Sequence, residues 1–118
     1  MTNDCIFCKI ANKEIPSEIV WENDNFLAFA DIKPIEEGHT LVIPKKHFDT
    51  LPDLEEEISK DYLDVIKKIA KILIDKYNAD GFNIVLNNGK SAGQIVNHVH
   101  FHIIPRKEGD NKKGLTLG

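Results

Sequence analysis

The sequence predicts an α+β domain: a mostly antiparallel sheet with one long and one short helix. Three observations carry this reading. Short apolar runs of strand length recur along the chain, separated by turn-forming residues. One longer segment repeats its apolar residues at helical spacing. The connections between neighbouring runs are short, which favours antiparallel pairing.

The elements follow in order. Ile19-Val20-Trp21-Glu22 and Phe26-Leu27-Ala28-Phe29 read as two strands, with Glu22-Asn23-Asp24-Asn25 as the turn between them. Glu36-Glu37-Gly38 forms another turn, and Thr40-Leu41-Val42-Ile43-Pro44 is a third strand stopped by its proline. Asp53, after Pro52 and three residues before Glu56, resembles a capping box. The long helix then runs from about Ser59 to Tyr77, with Tyr62, Leu63, Ile66, Ile69, Ala70, Leu73 and Tyr77 on its apolar side. Asp80-Gly81 ends it. Phe82 to Leu86 is a fourth strand, with Phe82, Ile84 and Leu86 sharing a face.

The last strand is the most informative. In His98-Val99-His100-Phe101-His102-Ile103-Ile104-Pro105, histidine alternates with apolar residues. As a regular strand it would place the imidazoles on one face, each roughly 6.5–7 Å from the next and out of direct contact. Val99, Phe101 and Ile103 would enter the core under the long helix, leaving the histidine face for chemistry. A single domain spans 1–118, with its core over about 5–107 and a polar tail over 108–118 tipped by Leu115 and Leu117.

Composition narrows the function. The 118 residues are 42% hydrophobic and carry a formal net charge of −4, which argues against duplex nucleic acid as a partner but leaves a single nucleotide open. No apolar run is long enough to span a membrane. No targeting segment is recognisable, which favours the cytoplasm. The two cysteines, Cys5 and Cys8, stand two residues apart. A reducing compartment with a metal or redox role suits them better than a structural disulfide.

Three histidines on one face would form a partly desolvated cluster in which protonating one penalises the next. Imidazole can ligate metal, move protons, or attack phosphorus as a neutral nucleophile. Gly93-Gln94 precedes the run, and backbone N–H groups after such a glycine can cradle an anion.

Ala92-Gly93-Gln94-Ile95-Val96-Asn97-His98-Val99-His100-Phe101-His102-Ile103-Ile104-Pro105-Arg106 resembles the signature of the histidine triad (HIT) superfamily. Cys5-Ile6-Phe7-Cys8-Lys9-Ile10 is similar to that family's N-terminal segment. Phe29-Ala30-Asp31-Ile32 and the run from Gly38 to His47 are similar to its central strands. The branch resembled is that of Hint-type and small prokaryotic HIT proteins.

The resemblance implies hydrolysis at the α-phosphate of purine nucleoside phosphoramidates or polyphosphates, such as AMP or GMP conjugates. His100 would be the nucleophile, forming a nucleotidyl-histidine, and His102 would contact phosphate and assist the leaving group. Gln94 belongs with them as a third catalytic candidate. Asp31 would hold the ribose. Phe7, Ile10, Phe29, Ile32 and Leu41 would wall the base pocket. Asn87, Gly93, Gln94 and the N–H groups of Ile95 and Val96 would surround the phosphate, with His39 nearby. The resemblance also implies a homodimer.

Two thiols at the Cys5–Cys8 spacing can share a tetrahedral zinc. Histidine is the plentiful remaining donor, and His47 and His98 complete the set, in agreement with the resemblance. Such a site is structural, and no catalytic metal is required. A redox pair or two uncommitted thiols are the alternatives. One position departs from the family pattern: Ile95 stands where many relatives carry serine or threonine, which implies weaker phosphoramidase activity. Two other functional readings stand beside the hydrolase: a nucleotide-binding module with weak turnover, and a zinc hydrolase using the three histidines as ligands.

Overall fold

The computed structural model describes residues 4–110. The expected tail beyond, including Leu115 and Leu117, lies outside them. The described elements are α1 (Ile6–Ala11), β1 (Ile19–Glu22), β2 (Phe26–Ala30), β3 (Thr40–Pro44), α2 (Glu56–Tyr77), β4 (Gly81–Leu86) and β5 (Phe101–Arg106), plus two single-turn 3-10 helices. The five strands form one sheet in the order β1-β2-β3-β5-β4, with every neighbour antiparallel. The expected α+β architecture is what the chain adopts. No helix among the described residues is long and apolar enough to cross a membrane.

Turn chemistry builds the first hairpin. The Asn23 side-chain oxygen accepts the N–H groups of Asn25 and Phe26 at 2.9 and 2.8 Å, which reverses the chain between β1 and β2. The central strands β2 and β3 are apolar at almost every position because both faces are covered. On one face, Phe26, Ala28, Val42, Val99 and Ile103 pack against Tyr62, Val65, Ile66, Ile69, Ala70 and Leu73 of α2. On the other, Leu27, Phe29, Leu41 and Ile43 pack against Phe7, Ile10 and Ala11 of α1. The histidine face is therefore not bare: α1 roofs part of it.

Two local expectations are corrected and a third, on β4, is refined. The capping box sits one turn earlier, where the Asp53 carboxylate accepts the Thr50 N–H and hydroxyl, and α2 begins at Glu56 rather than Ser59. Leu63 faces solvent and Val65 takes its place in the core. On β4, Phe82, Ile84 and Leu86 share one face as expected, but only Leu86 packs against the α2-side core, while Phe82 and Ile84 are exposed on this edge strand.

The histidine run is also less regular than alternation implies. The sheet ladder begins only at Phe101, so His102 alone of the three lies in a strand. Upstream, the His98 N–H turns back to the Val96 carbonyl at 2.8 Å and the Val99 N–H bonds the Phe48 carbonyl at 2.7 Å. That bend brings His100 and His102 to a ring-centroid separation of 5.0 Å, in edge contact rather than apart.

Gly38 shapes the loop before β3. Its φ is +88°, and a Cβ there would lie 2.7 Å from the Tyr77 ring. Only glycine fits both demands.

Candidate active site and metal centre

Two clusters lie side by side around the histidine run. The first joins Cys5, Cys8, His47 and His98, whose four donor atoms all lie within 4.8 Å of one another. Cys5 N-caps α1, with its sulfur accepting the Cys8 N–H at 3.3 Å, so the pair stands on the first turn of a helix. Cys5 Sγ lies 3.3 Å from His98 Nδ1, and Cys8 Sγ lies 3.2 Å from His47 Nδ1 and 3.5 Å from His98 Nδ1. Zinc bonds of about 2.3 Å to sulfur and about 2.0 Å to nitrogen put tetrahedral S···N edges at about 3.5 Å. The observed spacings fit that geometry.

The outer ring nitrogens settle which atoms face inward. His98 Nε2 donates to the Pro44 carbonyl at 2.8 Å, and His47 Nε2 is 2.7 Å from the Asp49 carboxylate. Each ring thereby carries its proton outward and turns an Nδ1 lone pair toward the sulfurs. His98 is fully buried, and desolvation pushes its pKa down to about 4, against the smaller opposing effect of the Pro44 carbonyl.

The second cluster holds His100, His102, His39 and Asp31. His100 Nδ1 donates to the His98 carbonyl at 2.8 Å, which leaves Nε2 with its lone pair. The Phe7 ring packs edge-on against it at 5.0 Å. Burial lowers the His100 pKa, the His98 carbonyl and Asp31 opposing, so the neutral imidazole is favoured.

Around His102 a chain of hydrogen bonds fixes the tautomers. The Ile35 N–H donates to His39 Nδ1 at 3.1 Å. His39 must therefore donate from Nε2, which lies 2.9 Å from His102 Nδ1 and 3.5 Å from the Asp31 carboxylate. With Nδ1 accepting, His102 carries its proton on Nε2. Desolvation lowers its pKa to about 4, with His100 and His39 adding to the shift. The Asp31 N–H bonds the His39 carbonyl at 3.0 Å, closing the loop that holds both residues.

The remaining site residues divide. Gly93 has φ +95°, and the Asn87 amide lies 3.7 Å from where its Cβ would stand, so those two residues are neighbours as expected. Ile95 is 93% exposed, while Val96 packs partly against the α1-side core. Gln94 is buried with its amide bound to three backbone groups: the Gly89 N–H, the Asp49 carbonyl and the Val96 carbonyl. It clamps the loop and does not present a free amide to a ligand. Of the expected base-pocket residues, Phe7, Ile10, Phe29 and Leu41 are buried together in the α1-side core, whereas Ile32 stands 89% exposed. They form a floor and a rim, not one wall.

Sequence reasoning missed the groups that set proton positions: Asp49, the Ile35 N–H and the Pro44 carbonyl. Asp49, two residues after His47, carried a readable signal; the backbone groups carried none.

The arrangement sets a neutral imidazole, His100, beside a second imidazole, His102, that carries its proton on Nε2, on a sheet partly roofed by a short helix, and the chain's relatives share that fold. Residues 12–109 match the HIT domain family model, and the chain belongs to the HIT family. It is 52% identical over 108 residues to an uncharacterized HIT-like protein of Methanocaldococcus jannaschii, covering 92% of this chain and 83% of that one. It is 45% identical over 118 residues to an adenosine 5'-monophosphoramidase of Candida albicans, covering 97% and 76%. Among solved structures, a HIT-family protein of Bacillus subtilis superposes with TM-score 0.92 at 42% identity, covering 98% of this chain and 82% of that one. A zinc-bound histidine triad family protein of Mycobacterium smegmatis superposes with TM-score 0.88 at 40% identity, covering 94% and 81%.

Proposed function

We propose that this protein hydrolyses purine nucleoside phosphoramidates at the α-phosphate, through a nucleotidyl intermediate on His100. The observation that carries the reading is the 2.8 Å bond from His100 Nδ1 to the His98 carbonyl, which points a neutral Nε2 lone pair at the site. Phosphorus is attacked by Nε2, and the bond from phosphorus to the leaving amine breaks. The amine takes a proton, supplied by His102 Nε2–H, and His39 Nε2–H stands ready behind it. Water then attacks phosphorus and gives its proton back to His102 Nε2, the P–N bond to His100 breaks, and a nucleoside monophosphate leaves. Asp31 holds the ribose hydroxyls, and the 95–96 backbone N–H groups hold phosphate oxygens. Polyphosphate conjugates fit the same chemistry with an anionic leaving group. The name of the Candida albicans relative, an adenosine 5'-monophosphoramidase, favours the phosphoramidate.

The residues also fit a structural zinc held by Cys5, Cys8, His47 and His98. Bound there, zinc supplies a tie between α1 and the histidine run, not a reaction step. The exposed apolar Phe82 and Ile84 on edge strand β4, with Leu63 on α2, suit a second copy of the chain as homodimer partner. Reduced thiols suit the cytoplasm.

The test is trapping. The protein is mixed with an adenosine phosphoramidate and quenched in acid-free denaturant, and the peptide carrying His100 is weighed. The expected result is an added AMP on the wild type and none on His100→Ala, without added metal. Nucleotide binding with no adduct and no product would leave only a binding module. Activity that depends on added metal would favour a metallohydrolase instead.

A further inference from the structure

Cys5 and Cys8 are not joined in a disulfide, yet their sulfurs lie within 4.8 Å on one turn of α1. Residues three apart on a helix are neighbours on its surface, so a small tightening of that turn brings the sulfurs into bonding distance. Their environments differ. Cys5 is partly exposed and lines a cavity of about 450 Å³ with His47, Ile95, Val96 and Asn97. Cys8 is buried. The HIT domain match begins at residue 12, so both cysteines and all of α1 lie outside it.

We propose that the pair is an oxidation site for small hydroperoxides, and that its oxidation switches the adjacent histidine site off. The proposal rests on the zinc and hydrolase readings above. The Cys5 thiolate, reached through the cavity, attacks the peroxide and takes the terminal oxygen and its proton as a sulfenic acid, the O–O bond breaks, and the alkoxide or hydroxide leaves and is protonated by solvent. The Cys8 thiolate attacks the Cys5 sulfur, forming the S–S bond and expelling hydroxide. Two thiolates lose two electrons and one O–O bond is reduced. With both sulfurs consumed, two histidines remain, too few to hold zinc.

The consequence reaches His100 by two routes. Phe7 stands between the cysteines on α1, and its ring contacts His98 at 6.0 Å and His100 at 5.0 Å. A shift of that turn moves the ring that packs on the nucleophile. His98 touches both sulfurs, and its carbonyl holds the His100 proton. Releasing His98 loosens the group that fixes the His100 tautomer.

The experiment treats the zinc-loaded full chain with stepwise hydrogen peroxide, then with tert-butyl hydroperoxide. Zinc release is followed with a chromogenic chelator, intact mass by mass spectrometry, and phosphoramidate turnover on the same samples. The expected result is one zinc released per two hydrogens lost, with kcat falling roughly tenfold. A dithiol plus zinc restores both. Oxygen added to the cysteines in place of hydrogen loss overturns the proposal, as does a disulfide that leaves kcat unchanged. A chain purified without zinc removes the zinc reading alone, because mass and kcat still decide the switch. A chain with no turnover removes the hydrolase reading, and loss of two hydrogens with zinc release still supports the oxidation site. These measurements use the wild type, so no variant needs to fold.

Discussion

The imidazole of His100 is held by the carbonyl of His98, two residues before it, at 2.8 Å. A carbonyl oxygen can only accept, so the proton is on Nδ1 and the lone pair on Nε2. His100→Gln removes the ring and should lower turnover by roughly a thousandfold or more, as loss of a covalent nucleophile does. Thermal denaturation of the variant should stay close to that of the wild type. A variant that keeps wild-type turnover would end the covalent reading.

In the proposed mechanism His39 acts through His102, whose Nδ1 lies 2.9 Å from its Nε2, and not on the substrate. His39→Phe removes the donor that fixes His102 Nδ1 as an acceptor. The expected loss is about 10–100-fold in kcat, the usual cost of removing an orienting partner. It should be concentrated on substrates with poor leaving groups. Comparing an alkylamine phosphoramidate with one carrying an electron-poor aromatic amine checks this, and equal losses would refute it.

Acid should act late on activity and early on stability. Burial lowers the pKa of His100 and takes that of His102 to about 4, against an ordinary value of 6.5. His100, the proposed nucleophile, therefore keeps its neutral form to a lower pH than an ordinary histidine, and the acid limb of kcat/KM should lie below pH 6.5. The linkage has the opposite reach. The unfolded chain binds these protons more readily, so the stability contribution is complete above about pH 6.5 and is lost as pH falls toward 4. Unfolding midpoints measured from pH 7.5 to 4.5 should fall steadily, and a flat series would contradict the burial.

Asp49 accepts the outward proton of His47. Asp49→Asn should weaken zinc binding about 10–100-fold without touching a ligand. Competition with a chelator of known affinity measures this. Stripping the metal should lower the unfolding temperature, since the site ties α1 to the histidine run.

Ile95 projects into solvent at 93% exposure, so changing it should not disturb the core. Ile95→Ser places a hydroxyl beside the 95–96 N–H groups proposed to hold phosphate. One hydrogen bond to a departing amine is worth about 1 kcal/mol, roughly fivefold in rate. Turnover of an adenosine phosphoramidate should rise, and an unchanged or lower rate counts against a leaving-group role at this position.

Side-chain chemistry was largely legible in the sequence, while backbone chemistry was not. The Cys5–Cys8 spacing and His47 announced a donor set, because ligand types at fixed offsets survive without a structure. The strands were legible from Val42 and Ile43 and their neighbours, since β-branched and large apolar runs bounded by turns leave few alternatives. The histidine run misled in one respect. Alternation implies a strand, but the Val96 carbonyl captures the His98 N–H and bends the chain before the ladder starts. Gln94 misled in another, because its position beside Gly93 says nothing of which backbone groups claim its amide. Leu63 lies at the margin of the stripe formed by Tyr62, Val65, Ile66, Ile69, Ala70 and Leu73, and an apolar residue at a stripe's margin can face solvent without breaking the helical pattern.

The contact between Gly38 and Tyr77 ties the end of α2 to the loop that carries Asp31 and His39. Position 38 is closed to every side chain, so Asp31 and His39, the residues proposed to hold the sugar and to relay a proton, form a single arm hinged on a helix end. Within the arm, the position freest to vary is Ile32, at its outward end. Ile32 stands in solvent, so substitution there leaves untouched the Ile35 and Glu36 backbone groups that hold His39.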